Sequence, residues 1–161
     1  MVLRQWYTQY GTTVFDNAQI RFALMADSTP ANGDTISIPV SPGELIDKIT
    51  ILEIKAQRVS DPVKRKNVGY ELALLSDVRA RNLSPREGVA ELEAQLKTVN
   101  ERLWDVEDDI RRCEAQGDFG PGFVELARKV YRTNDRRAAL KREICTLFGS
   151  AIVEEKSYAE Y

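Results

Sequence analysis

Three groups of residues have the types and spacing that chemistry would require. The first is Trp104-Asp105-Val106-Glu107-Asp108-Asp109, in which Asp105 and Asp108 would share one face of a helix. Magnesium takes hard oxygen donors and bridges one or two carboxylates to substrate phosphates, so this pair could hold such an ion. The alternative is a solvated helix face, with Arg111 and Arg112 as intrahelical partners. The second group is Tyr131, Asn134, Asp135, Arg137 and Lys141, polar side chains that interrupt or border an otherwise apolar helical stripe. Burying Asn134 or Arg137 between helices is costly without partners, so they either pair across the bundle with the acidic group or line a polar cavity. The third is Ser41-Pro42-Gly43, a turn whose following helix start offers free amides to an anion such as a phosphate; the plainer reading is a cap.

The composition narrows what those groups can do. The chain has no histidine, which removes the usual general base, proton shuttle and commonest metal ligand together. Any hydrolysis would need water activated by a metal or by a carboxylate such as Asp135, with Glu107 free to pair with Arg137. With 23 basic and 25 acidic side chains the formal net charge is -2, which argues against general attraction to nucleic acid or to an anionic membrane. Cys113 and Cys145 fall on apolar faces of separate helices, the pattern of buried reduced thiols rather than of a zinc site. No apolar run approaches membrane-spanning length and no secretory leader is recognisable, so the expected compartment is the cytoplasm.

The elements that must position these residues are mostly helices. Val89, Leu92, Leu96, Val99, Leu103, Val106, Ile110 and Cys113 recur at alternating steps of three and four, the heptad seam of a helix packed along its whole length. Ser84-Pro85-Arg86-Glu87 reads as its capping box and Gly117 as its end, which predicts one helix from Ser84 to Gln116. Ser41-Pro42-Gly43-Glu44 opens an earlier helix to about Val59, with Leu45, Ile49, Leu52 and Ala56 on its core face, widened by Ile46 and Ile54, and Glu44, Lys48, Lys55 and Arg58 on a charged flank. Asp61-Pro62 starts a second helix, to about Asn82, expected to bury Val68, Leu72, Leu75 and Val78. The last helix spans Pro121 to Phe148 and closes at Gly149, with Phe123, Leu126, Val130, Leu140, Ile144 and Leu147 facing the core. Thr35 to Val40 alternates as a short edge strand, and Ala151-Ile152-Val153 is a candidate strand to pair with it. Residues 1–34 read as an appendage, Met1 to Leu24, and a linker, with Met25 a possible alternative start; residues 35–158 form one domain.

Four stretches carry a resemblance. Val40-Ser41-Pro42-Gly43-Glu44-Leu45-Ile46-Asp47-Lys48-Ile49-Thr50-Ile51-Leu52-Glu53-Ile54-Lys55, the run Leu103 to Arg111, the run Val130 to Ala138, and the ending Gly149 to Tyr158 together resemble a bacterial family of unknown function. Its members occur alone or attached to proteins of surface-sugar synthesis. The resemblance covers about Ile36 to Tyr158 and implies that the polar residues of these stretches belong to one site, without supplying an activity. A weaker likeness, to the all-helical nucleotide pyrophosphohydrolases, lacks their run of adjacent glutamates. A third, of Leu45 to Arg58 to the first helix of chorismate mutases, is cut short at Pro62.

The expected fold is mainly α: four principal helices, the last two a long antiparallel hairpin, with a two-strand element formed by the flanking segments. The expected function is binding of an anionic small molecule, a nucleotide or nucleotide-sugar, through Ser41, Gly43, Tyr131, Asn134, Arg137 and Lys141. Two alternatives stand beside it: a helical interaction module, and a phosphohydrolase using magnesium on Asp105 and Asp108. Self-association would run through helical faces.

Overall fold

A computed structural model describes residues 36–157, and the expectations for the appendage, the linker and Met25 lie outside them. Among the described residues four helices follow one another: α1 Pro42–Arg58, α2 Pro62–Asn82, α3 Val89–Gln116 and α4 Pro121–Phe148. The chain divides between Ile38 and Pro39, and all four helices belong to the second unit.

Local chemistry explains most of the boundaries. At α1 the Ser41 hydroxyl accepts from the Glu44 amide at 3.2 Å, and Pro42 occupies the first turn where its missing donor costs nothing. At α2 the Asp61 carboxylate accepts from the amides of Val63 (2.8 Å) and Lys64 (3.1 Å). Gly117 and Gly149 end α3 and α4 in the left-handed conformation, each followed by an amide that reaches back to a terminal carbonyl.

The start of α3 differs from expectation. The helix begins at Val89 rather than at the Ser84 box, because Gly88 sits at φ 80°, a left-handed turn that a right-handed helix cannot pass through. The segment before it serves α4 instead. Arg86 donates to the Leu147 carbonyl at 2.6 Å and lies 5.1 Å over the Phe148 ring, satisfying a carbonyl that has no intrahelical partner.

The core lies where α1 packs on both α3 and α4. Ile46 of α1, Val89, Leu96, Val99 and Leu103 of α3, and Leu140 and Ile144 of α4 form one buried cluster, with Leu83, Leu92 and Phe148 packed around it. The heptad seam is therefore not buried throughout. Val106, Ile110 and Cys113 are half-buried, as are Phe123, Leu126 and Val130, because beyond the reach of α1 only one helix covers each of them. Leu147 is exposed, and Phe148 makes the core contact expected of it. α3 and α4 share the most extensive helix packing, and Gln95 meets Arg136 at 2.7 Å along it.

Two further expectations are corrected. No residue of α2 is buried: Val68, Leu72, Leu75 and Val78 are half-covered, since the helix packs along α1 and reaches α3 only through the Arg79 guanidinium, which donates to the Glu93 carboxylate at 2.6 and 2.7 Å. Among the described residues there is no strand, and Ile36 to Val40 and Ala151 to Val153 are exposed irregular chain. In the second segment the Ser150 hydroxyl donates to the Ile152 carbonyl (2.9 Å) and accepts from the Ile152 amide (3.2 Å). Both groups that a ladder would use are thereby occupied.

Candidate functional site

Arg137 is drawn inside by a residue that the sequence pattern did not single out. Asp47, on the core face of α1 between Ile46 and Ile49, accepts from Arg137 Nε at 2.8 Å and from its terminal nitrogen at 2.6 Å, a bidentate pair. Asn100 of α3 donates to both the Asp47 carboxylate and the Thr50 hydroxyl at 2.9 Å, and Thr50 in turn donates to the Asp47 carbonyl at 2.8 Å. Three helices thus meet in a polar knot within the apolar core. Asp47, Thr50 and Asn100 are buried, and among the described residues no buried side-chain polar atom is left without a partner. The Asp47 carboxylate holds the Arg137 pKa above its usual range.

One turn further along α4, Lys141 is buried and bound by two carboxylates. One is Glu44, from the first turn of α1; the other is Glu154, at 2.6 Å, from the irregular segment after α4. Burial alone would lower the Lys141 pKa, but its bonds to Glu154 and Glu44 outweigh that and hold it above 10.5. Glu154 is held below 4.5, chiefly by its bond from Lys141. Lys156 lies 3.9 Å from Glu154, and Arg142 approaches the Glu154 carbonyl at 3.5 Å and the Glu155 carboxylate at 3.7 Å. The acidic segment is therefore clasped by Lys141, Arg142 and Lys156.

Gly43 is where α1 lies against α4. A Cβ there would stand 2.5 Å from the Lys141 carbonyl oxygen and 3.0 Å from Cys145 Sγ, so only glycine lets α1 lie against α4. Beside this contact a cavity of about 10 Å³ is walled by Ser41, Ala138, Lys141, Cys145 and Glu154, room for no more than a water. On the other side of Arg142 an open groove of about 520 Å³ runs along Leu92, Ala139, Glu143, Thr146 and Leu147.

Of the residues expected to bind a ligand, Ser41, Gly43 and Lys141 come together, and Arg137 lies in the adjoining knot. Tyr131 is exposed, with Arg132 5.9 Å over its ring, and it precedes Lys141 by about 15 Å of helix. Asn134 and Asp135 are half-buried on the same stretch. The acidic run of α3 is engaged elsewhere. Asp105 bonds Arg58 of α1, whose guanidinium also lies 5.9 Å over Trp104, while Arg111 holds Glu107 at 2.9 Å and Asp108 at 3.4 Å and Arg112 bonds Asp109. Glu107 therefore meets Arg111, not Arg137. Among the described residues no three acidic or cysteine side chains converge as a metal ion would require.

The sequence reading missed Asp47, Asn100 and Glu154. A carboxylate among Leu45, Ile46 and Ile49, and an amide beside Val99 and Leu103, were signals of buried polar groups. Glu154 gave no such sign, because its neighbours read as a strand.

The arrangement defines a mainly helical domain in which α1, the C-terminal half of α4 and the segment following it build one charged cluster. The chain belongs to the Family of unknown function (DUF6165), whose model matches residues 36–161. No curated protein and no solved structure matches it. Among the described residues no helix is long and apolar enough to cross a membrane.

Proposed function

We propose that the domain binds a phosphate-bearing small molecule, a nucleotide or nucleotide-sugar, with its phosphates on Lys141 and Arg142 of α4. The observation that carries this reading is the occupant of the clasp. Glu154 is a carboxylate on an irregular segment, tethered to a buried lysine, and a phosphate group offers the same lysine more charge and more acceptor oxygens. Binding then consists of exchange: the phosphate replaces Glu154, and the segment after α4 moves aside. The small cavity of about 10 Å³ is consistent with a site whose anion position is already filled from within. Arg142 borders both this cavity and the 520 Å³ groove, so the nucleoside or sugar lies along Leu92, Ala139 and Leu147.

The test is a thermal-shift screen of nucleoside mono-, di- and triphosphates and nucleotide-sugars, with and without magnesium and at matched ionic strength. A ligand that binds only the folded state raises the melting temperature by mass action. Lys141→Gln should abolish the shift and Glu154→Gln should enlarge it. Ala139→Trp, which fills the groove, should weaken nucleotides and spare inorganic pyrophosphate. Arg137 is not a useful probe, since it holds the fold together through Asp47.

A second reading, a helical interaction module, draws support from α2, a helix of 21 residues with none buried. If no anion shifts the wild-type protein, this reading takes precedence.

A further inference from the structure

The outward face of α2 has the pattern of a surface made to meet itself. Most of the stability of a helix in a protein comes from tertiary packing of an amphipathic face. The half-covered Val68, Leu72, Leu75 and Val78 mark the side of α2 that meets α1, and Arg79 reaches Glu93 of α3, while Val63 (69% exposed), Tyr70 (66%) and Leu74 (46%) form a row about a third of a turn away. At about 100° per residue these three lie within roughly 40° of one line. Ala73, on the flank next to Tyr70, is exposed and small, so that edge of the row is low.

The charges on this face have a matching symmetry. Lys66 and Asp77 are exposed on the same flank of the row, and the apolar pair Tyr70 and Leu74 lies between them. A two-fold axis perpendicular to α2 and passing beside it, level with the bond between Glu71 and Leu72, sets position 66 level with 77 of the copy and 70 level with 73. An antiparallel copy so placed sets each Lys66 against the partner's Asp77, and seats each Tyr70 next to the partner's Leu74. A parallel copy would instead set Lys66 against itself. Asp77 is held by Arg81 at 2.7 Å, but both side chains are more than half exposed, and such an i,i+4 pair is exchangeable at little cost.

We propose that this chain self-associates through α2, two copies packing their α2 helices antiparallel about that axis, with Tyr70 and Leu74 at the centre and two Lys66–Asp77 ion pairs at the ends. The occupant is a second copy because the face is complementary to itself in both apolar content and charge, as an isologous interface requires. The contact is small, so the dimer is of the weak, concentration-dependent class. None of its residues belongs to α4 or to the segment after it, and it stands or falls independently of anion binding.

The experiment is sedimentation equilibrium of the full chain over a wide concentration range, with far-UV circular dichroism as the check on folding. Wild-type protein should rise from 18.2 kDa towards twice that mass. Leu74→Glu should remain at the monomer mass with an unchanged helical spectrum. Lys66→Glu should weaken dimerisation about tenfold, through like-charge contact with Asp77 at both ends. The double variant Lys66→Glu with Asp77→Lys should recover most of that loss. Without the antiparallel contact, Asp77→Lys only adds repulsion against Arg81. A wild-type chain that stays monomeric at the highest soluble concentration overturns the proposal, and so does a double variant that associates no better than Lys66→Glu alone.

Discussion

The pair formed by Asp47 and Arg137 predicts an asymmetry between its two halves. The carboxylate side chain is 4% exposed and the guanidinium 28%, so removing either partner leaves a different orphan. Arg137→Met strands a buried negative charge whose remaining side-chain donor is Asn100 at 2.9 Å. Stranding one member of a buried pair costs about 3–5 kcal/mol. Asp47→Asn keeps a hydrogen-bonding side chain at 47, and the orphaned guanidinium is near enough to solvent to recruit water, so the loss should be about 1–3 kcal/mol. The arginine variant should therefore be the less stable by about 2 kcal/mol. The double variant should be more stable than Arg137→Met alone, because the buried charge has gone. Urea unfolding followed by far-UV circular dichroism reads all three, provided the slopes agree. Equal losses, or a double variant that simply adds the two, would refute the assignment of Asp47 as the buried partner.

Other outcomes follow from the packing and the charges. Leu103→Ala, in the core cluster, should cost about 2–5 kcal/mol in the same assay, and a loss below about 0.5 kcal/mol would place Leu103 outside the core. Gly43→Ala should cost about 1–3 kcal/mol, since the new methyl must push the Lys141 carbonyl away; a neutral substitution would contradict the close approach of α1 to α4. The hold of Lys141 on Glu154 should be pH-dependent at both ends. Glu154 has its folded pKa depressed below 4.5, so its contribution is full above 4.5 and is lost as pH falls through the depressed value. Lys141 has its folded pKa raised above 10.5, so its contribution is full below 10.5 and is lost as pH rises through the raised value. The stability difference between wild type and Glu154→Gln should accordingly be flat between these limits and shrink outside them, and a difference that persists unchanged in acid would count against the ion pair.

How much of this was legible in the sequence varied with the range of the interaction. Ser41-Pro42, Asp61-Pro62, Gly117 and Gly149 act on their own turns, and each helix end that they mark falls within a residue or so of expectation. The Ser84 box is equally local and misled, because Gly88 four residues on imposes a left-handed turn that overrides it. Burial depends on what lies across the space, which periodicity does not say. The seam of α3 is deep at Leu96 and shallow at Ile110 because α1 reaches one and not the other, and α2 has a plausible stripe with only one helix to receive it. Arg137 and Lys141 stood out as polar residues on an apolar stripe, but their partners lie far along the chain, and no local pattern says that Asp47 and Glu44 are those partners. Asp105 and Asp108 had the spacing of a metal pair, yet spacing cannot show that Arg58 lies against one and Arg111 against the other.

The most direct test of ligand exchange at Lys141 is isothermal titration calorimetry of a nucleoside diphosphate into wild-type, Glu154→Gln and Lys141→Gln proteins at one ionic strength. Exchange predicts saturable one-site binding to the wild type, tighter binding to Glu154→Gln because the internal competitor is gone, and none to Lys141→Gln. Binding of equal strength to the wild type and the Lys141 variant, or no binding to Glu154→Gln, would contradict it.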